Sequence, residues 1–124
     1  MENISYFWDS YAVIELIRGN INYINYSEYQ IKINIFNIVE IYWFALNEYG
    51  EDKANQIFDR LKSCILTIND EILKEAIKLR KQVYKSRKLS YADAIGYIYA
   101  LRNNMKFLTG DKDFENMDNV EFVK

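Results

Sequence analysis

Four carboxylates, Asp9, Glu40, Asp93 and Asp111, are the residues of this sequence best suited to chemistry. The chain contains no histidine, which is the most common metal ligand and general base near neutral pH. Histidine triads and Cys/His zinc sites are therefore excluded, and carboxylates, lysine, tyrosine or serine must carry out any catalysis. Because carboxylate oxygens suit hard divalent cations, a carboxylate metal site is the leading option.

Each of these acids also has a purely structural explanation. Acids are favoured in the first turn of a helix by the helix dipole, and an Asp after a strand often forms a turn or a cap. Their positions nevertheless agree with one another: Asp9 and Asp111 follow predicted strands, and Glu40 and Asp93 lie in the first turns of predicted helices. Sites in open parallel sheets form beyond the carboxyl ends of the strands. We therefore expect the four side chains to meet.

The elements that must position these acids alternate between short β-type runs and longer helical patterns. The predicted strands are residues 4–8, 31–36, 64–68, 106–109 and 120–123, and the predicted helices are residues 10–18, 37–49, 51–63, 70–86 and 90–102, with a turn and a short helix over 110–117. Ser90 and Asp93 have the spacing of a variant capping box. Residues 20–29 give no clear pattern. Alternating strands and helices predict a mostly parallel sheet covered on both faces.

Length and composition predict one domain over residues 1–124, because 124 residues with 50% hydrophobic content can form one sizeable core. No apolar run is long enough for a membrane span and no signal-peptide pattern is evident, so we expect a soluble, cytoplasmic protein with no membrane partner.

Cys64 is the only cysteine, which excludes an intrachain disulfide, and we expect it in the core. The net charge of −2 does not exclude a nucleic-acid substrate, because bound cations would offset clustered acids.

Four segments together resemble the PIN-domain nuclease family, specifically its VapC-like toxins. FWDSYAVIELI is similar to the family's opening strand, Asp and hydroxyl residue followed by an apolar helix, and NIFNIVEIYW to its second strand and helical Glu. SYADAIGYIYA resembles the Ala-Asp-Ala helix, and LTGDKDF resembles the closing Thr-x-Asp-x-Asp-Phe motif, which is the most specific match. The resemblance covers essentially the whole chain.

This resemblance implies a three-layer α/β/α sandwich with a central sheet of about five strands, Mg²⁺ or Mn²⁺ at the acid cluster, and hydrolysis of single-stranded RNA. Asp9 and Asp93 are the expected direct metal ligands and Asp111 a further ligand, while Glu40 orients or deprotonates the attacking water. Two bound ions about 3.5 to 4 Å apart could brace both the attacking and the leaving oxygen.

For several further residues the sequence is compatible with two roles. Ser10 and Thr109 match the small hydroxyl residues that support the family's site, but local capping explains them equally well. Asp113 either joins the metal site or caps the short helix that follows it. A cluster of basic residues near the end of the helix predicted over 70–86 either contacts RNA phosphates or interacts with the helix dipole; its members are Lys81, Lys85, Arg87 and Lys88. Tyr91, Tyr97 and Tyr99 are interpreted as packing or interface residues.

Other functions fit fewer positions or share the same acids. A receiver domain needs an acid at the end of the third strand, where this chain has Asn69; a haloacid-dehalogenase-type phosphatase needs a second acid at Tyr11; a topoisomerase-primase metal site needs Glu in place of Asp9. The family resemblance implies a toxin with a small antitoxin partner and a homodimeric state. A housekeeping RNA-processing nuclease and a catalytically silent protein-binding module remain alternatives.

Overall fold

The computed structural model describes residues 3–124, so the first two residues of the predicted domain lie outside the described part. Its strands are β1 (Tyr6–Trp8), β2 (Lys106–Thr109) and β3 (Val120–Phe122), and its helices are α1 (Ser10–Arg18), α2 (Ile21–Ile24), α3 (Ile35–Tyr49), α4 (Glu51–Leu61), α5 (Asp70–Val83) and α6 (Tyr91–Arg102). Short 3₁₀ turns cover Lys62–Cys64 and Lys112–Phe114. The long helices begin and end within a few residues of the predicted bounds.

The sheet has three parallel strands in the order β1-β2-β3. Two more extended segments continue the sheet beyond β1: the Trp8 N–H donates to the Lys32 carbonyl (2.9 Å), and Ile33 forms a parallel bridge with Ile65. The five predicted extended segments therefore lie side by side. The strands predicted over 31–36 and 64–68 were wrong in length, because each is reduced to a single bridge.

A helix cap explains why the second strand is short. The Asn37 N–H donates to the Asn34 Oδ1 and the Asn34 N–H donates to the Asn37 Oδ1, both at 2.9 Å. This reciprocal capping box satisfies two backbone donors at the start of α3. The helix therefore begins at Ile35, two residues before the predicted start, and takes Ile35 and Phe36 out of the predicted strand.

Side chains on the strands alternate between two apolar layers. Phe7 and Phe107 pack on the face covered by α5 and α6, whereas Trp8 and Leu108 pack on the opposite face with α1, α3 and α4. This is the period of two that a pleated strand imposes. The arrangement is a three-layer α/β/α sandwich, which confirms the predicted fold class.

Three local findings complete the fold. Residues 20–29 contain the four-residue helix α2, whose buried Tyr23 donates its hydroxyl to the Val123 carbonyl. Cys64, expected in the core, is only partly buried, because it lies in the 3₁₀ turn after α4. None of the helices within residues 3–124 is both long and apolar enough to cross a membrane.

Candidate metal centre

Asp9 lies at the junction between β1 and α1, where its side chain is held on both oxygens. Its Oδ1 accepts a hydrogen bond from the Ser10 N–H (2.8 Å), which caps the helix, and its Oδ2 accepts from the Thr109 hydroxyl (2.7 Å) at the end of β2. The residue is 2% exposed. The carboxylate is therefore fixed both by the local helix cap and by a residue of the neighbouring strand.

Glu40 is held by a relay of polar side chains. The Ser10 hydroxyl donates to the Glu40 Oε1 (2.5 Å), and the Asn37 side-chain amide donates to the Ser10 Oγ (2.9 Å). Asn37 is fully buried and belongs to the cap of α3. Ser10 thus supports Glu40 directly, while its backbone N–H supports Asp9.

Asp93 and Asp111 both use part of their carboxylates to cap short backbone segments. Asp93 accepts the Ser90 N–H (2.9 Å) in the predicted capping box at the start of α6, and Asp111 accepts the Asp113 N–H (2.9 Å). The Asp111 N–H donates to the Thr109 Oγ1 (3.0 Å). Thr109 therefore bridges Asp9 and Asp111.

All four acids line one open cleft with a volume of about 640 Å³. The remaining lining residues are Ser10, Tyr11, Ile14, Val39, Trp43 and Ser90. The set predicted from sequence is thus brought together, with Ser10 at the wall and Thr109 behind it. Asp113 does not line the cleft, and its backbone contributes to the Asp111 turn. No residue of the described chain that lines the cleft carries a positive charge.

The electrostatics of the cleft disfavour charged carboxylates. Burial raises the pKa of Asp9 well above its ordinary value, and the nearby Asp93 carboxylate raises it further, against the hydrogen bond from Thr109. Burial is also the main cause that raises the pKa of Asp93 and of Glu40. Without a cation, buried acids that repel one another are held at a cost in stability.

The donor set fits a hard divalent cation. As the side chains stand, no three acidic or cysteine side chains among residues 3–124 converge closely enough to ligate one ion by themselves. Mg²⁺, however, commonly uses one or two carboxylates and keeps several waters. A carboxylate offers about four lone-pair positions, so Asp9, Asp93 and Asp111 retain acceptor capacity beyond their caps.

We expect divalent metal to raise the melting temperature of the protein, because the ion would offset the repulsion between the buried acids. At a metal concentration about 100 times the dissociation constant, the gain in free energy of unfolding is about 2.7 kcal/mol. Thermal unfolding followed by circular dichroism, with MgCl₂ or MnCl₂ against EDTA, measures it. An equal response to NaCl at matched ionic strength would argue against a specific site.

Asn34 and Asn37 are supporting residues that the sequence reasoning missed. The signal was present, since Asn-x-x-Asn at the start of an apolar helix is compatible with a reciprocal cap. That signal did not reveal the contact between Asn37 and Ser10, because Ser10 lies 27 positions away.

We expect Asn37→Ala to lower the free energy of unfolding by about 2 kcal/mol, because it leaves the buried Asn34 N–H unsatisfied. Ser10 also loses its donor, so Glu40 is less well fixed and any cleavage activity falls. Chemical denaturation measures the stability, and Asn47→Ala is a control, because the exposed Asn47 side chain bonds only to backbone within α3. Equal stability losses in the two variants would contradict the relay.

The fold and the cleft together define a three-layer α/β domain with an acidic site at the ends of parallel strands. The family model described as PIN domain matches residues 6–120. Because that match spans most of the chain, the protein belongs to the PIN domain family.

Solved structures show the same fold. A toxin-antitoxin complex from Klebsiella pneumoniae has 21% sequence identity, a TM-score of 0.72, and coverage of 94% of this chain and 96% of that chain. VapBC2 from Rickettsia felis, bound to a DNA fragment from its promoter, has 15% identity, a TM-score of 0.71, and coverage of 97% and 98%. FitAcB from Neisseria gonorrhoeae has 15% identity, a TM-score of 0.70, and coverage of 95% and 96%. No curated protein matches the sequence.

Proposed function

We propose that this protein is a Mg²⁺- or Mn²⁺-dependent endoribonuclease that cleaves single-stranded RNA. The observation that carries the proposal is the cleft itself: four carboxylates line it and no basic side chain among its lining residues offsets their charge. A divalent cation supplies that charge, and PIN domains are generally nucleases.

The residues of the cleft divide the work between holding the cation and handling the proton. Asp9, Asp93 and Asp111 would hold the ion together with bound waters, and the ion would lower the pKa of water and stabilise charge on a phosphoryl group. Glu40, which accepts a hydrogen bond from the Ser10 hydroxyl, would orient or deprotonate the attacking water. Burial raises the pKa of Glu40. A general base is most efficient when its pKa lies near the working pH, so this shift favours proton transfer near neutral pH.

Two exposed apolar side chains in the wall of the cleft favour a single-stranded substrate. Trp43 is 70% exposed and Val39 is 62% exposed, although both line the acidic cleft. An exposed aromatic ring can stack on an unpaired base, and specific RNA recognition mostly targets unpaired bases. We therefore propose that Trp43 stacks on a base of an RNA strand bound in the cleft.

Incubation of the purified protein with single-stranded RNA, duplex RNA and single-stranded DNA tests this proposal. We expect cleavage of single-stranded RNA with Mg²⁺ or Mn²⁺, and none after EDTA or in Asp9→Asn. Ile4→Ala is a control, since Ile4 is exposed and lies outside the cleft. Cleavage that survives EDTA or the Asp9 substitution would overturn the metal mechanism, and inactivity of the wild type on all three substrates would favour a silent binding module.

We further propose that this nuclease acts in the cytoplasm as a VapC-like toxin, is inhibited by a small antitoxin and forms a homodimer. Two of the structural relatives are a toxin-antitoxin complex and VapBC2. An apolar stripe on α3 is exposed and extends into the cleft, and it offers contact surface for a covering partner; it comprises Ile35, Phe36, Val39 and Trp43.

Expression in a growing cell, with and without a small protein encoded beside the gene, tests the toxin role. We expect growth arrest that the neighbouring protein relieves and that Asp9→Asn abolishes. Harmless expression of a protein that cleaves RNA in vitro would favour a housekeeping RNA-processing nuclease.

Light scattering during size-exclusion chromatography tests the proposed homodimer, and a measured mass of 14.9 kDa, which is that of one chain, would contradict it.

A further inference from the structure

A second cavity adjoins the acidic cleft and has the opposite charge. It has a volume of about 280 Å³ and is lined by Arg80, Tyr84, Arg87, Lys88, Leu89 and Ser90. Ser90 also lines the acidic cleft, so the two cavities share a residue of their walls. We call this second cavity the basic pocket.

The two arginines of the basic pocket have structural partners. Arg80 donates its Nε–H to the Leu89 carbonyl (2.8 Å), and Arg87 donates from its Nη1 to the Asp113 carbonyl (2.6 Å). The second bond ties the loop between α5 and α6 to the turn that follows Asp111. The arginines therefore hold the pocket in place beside the acids.

Lys88 has no such partner. Its side chain is exposed, and neither of the two ion pairs formed within residues 3–124 includes it. Its ammonium group lies 5.0 Å from the centre of the Tyr84 ring, and Tyr84 is 57% exposed. An ammonium group has three N–H donors, and that contact with the ring leaves them available for a ligand.

We propose that the basic pocket binds the RNA strand next to the cleavage site, with Lys88 contacting a backbone phosphate and Tyr84 stacking on a base. This proposal rests on the nuclease function proposed above. A positive groove combined with exposed aromatic rings is the general means of binding single-stranded nucleic acid. Because the acidic cleft itself supplies no basic side chain, a phosphate beyond the reach of bound metal needs a countercharge from outside it, and Lys88 is adjacent.

RNA binding without cleavage tests the pocket directly. The affinity of a fluorescein-labelled single-stranded RNA is measured by anisotropy at several salt concentrations in the Asp9→Asn background. We expect Lys88→Gln to weaken binding and to reduce the slope of log K against log [salt] by about 0.7, the value for one phosphate contact on a single strand. Tyr84→Leu is expected to weaken binding on the order of 10-fold through lost stacking.

Lys85→Gln is the matched control. Lys85 is exposed, lies three positions from Lys88 and does not line the pocket, so the substitution makes the same change in net charge outside it. Lys88→Arg keeps the charge and is expected to retain the wild-type slope. All four variants alter exposed side chains, and thermal unfolding confirms that each one folds.

The outcomes separate this proposal from the nuclease function. Equal effects of Lys88→Gln and Lys85→Gln, with wild-type cleavage intact, would overturn the proposed RNA contact at the basic pocket and leave the nuclease function standing. A slope in Lys88→Arg as low as that of Lys88→Gln would also overturn it, because the contact would then not depend on charge. A wild-type protein that neither binds nor cleaves RNA would overturn both proposals.

Discussion

Asp93→Asn is expected to abolish metal-dependent RNA cleavage and, at the same time, to raise the melting temperature of the metal-free protein. The side-chain amide oxygen of the variant would still accept the Ser90 N–H that Asp93 accepts, so the cap of α6 persists. The substitution removes a buried charge that raises the pKa of Asp9. If it relieves about 1 kcal/mol of repulsion, the melting temperature rises by roughly 3 to 6 °C.

The loss of activity should be large, because the variant loses a proposed metal ligand. Loss of several kcal/mol of transition-state stabilisation corresponds to on the order of 10³-fold in rate. Cleavage assays with Mg²⁺ and thermal unfolding with EDTA measure the two effects. A variant that is less stable than wild type without metal would contradict the predicted repulsion between Asp93 and Asp9. A variant that remains active would show that Asp93 is not a required metal ligand.

The same repulsion predicts a pH dependence. The folded-state pKa of Asp93 is raised above its ordinary value of 3.8, so between these two values the native protein binds more protons than the unfolded chain. The stability of metal-free wild type therefore falls as the pH rises through the folded-state pKa. In Asp93→Asn the fall should be smaller, and denaturation at several pH values measures the difference.

Gly110→Ala is expected to destabilise the protein by about 3 kcal/mol or more and to abolish the stabilising response to metal. A methyl group at residue 110 would overlap the Val123 backbone carbonyl and the ring of Tyr11. Overpacking of this kind costs about 1 to 3 kcal/mol, and more when backbone must move. Because residue 110 lies between Thr109 and Asp111, any shift there displaces the bridge between Asp9 and Asp111.

Gly19→Ala is the control for this substitution. Gly19 has a φ of 85° at the end of α1, and a methyl group there would meet nothing within 4 Å. Its cost is therefore the conformational one alone, about 1 to 2 kcal/mol. Chemical denaturation compares the two variants. A loss in Gly110→Ala no greater than that in Gly19→Ala, with an unchanged response to Mg²⁺, would contradict the close packing around residue 110.

Local signals predicted the helices well and the shortest strands poorly. Ser90 and Asp93 lie three positions apart, so their capping box depends on adjacent chain and was visible in the sequence. The β-type run over residues 31–36 was predicted to be one strand, yet the equally local cap formed by Asn34 and Asn37 begins α3 inside it. β-type composition does not show how many residues find a pairing partner, because that depends on neighbouring strands.

The candidate site shows a similar division. The four acids were predicted from their positions after strands and in first helical turns and from the resemblance of their segments to PIN-domain motifs, and the structure places all four in one cleft. Whether they bind metal stays a prediction. The sequence left the roles of Lys88 and Arg87 open together, whereas the structure separates them, because Arg87 bonds to backbone carbonyls and Lys88 does not.

The sequence by itself determined which chemistry this protein can use. In a chain without histidine and with a single cysteine, carboxylates with a divalent cation are the leading option for catalysis, and short-range caps place Asp9, Asp93 and Asp111 at the ends of elements. Only the tertiary structure decided that these acids line one cleft, with Asp9 and Asp93 buried, that Asn37 reaches Glu40 through Ser10, and that a basic pocket adjoins the cleft. Such contacts join residues distant in the chain, and they exist only once the packed core has brought the strand ends together.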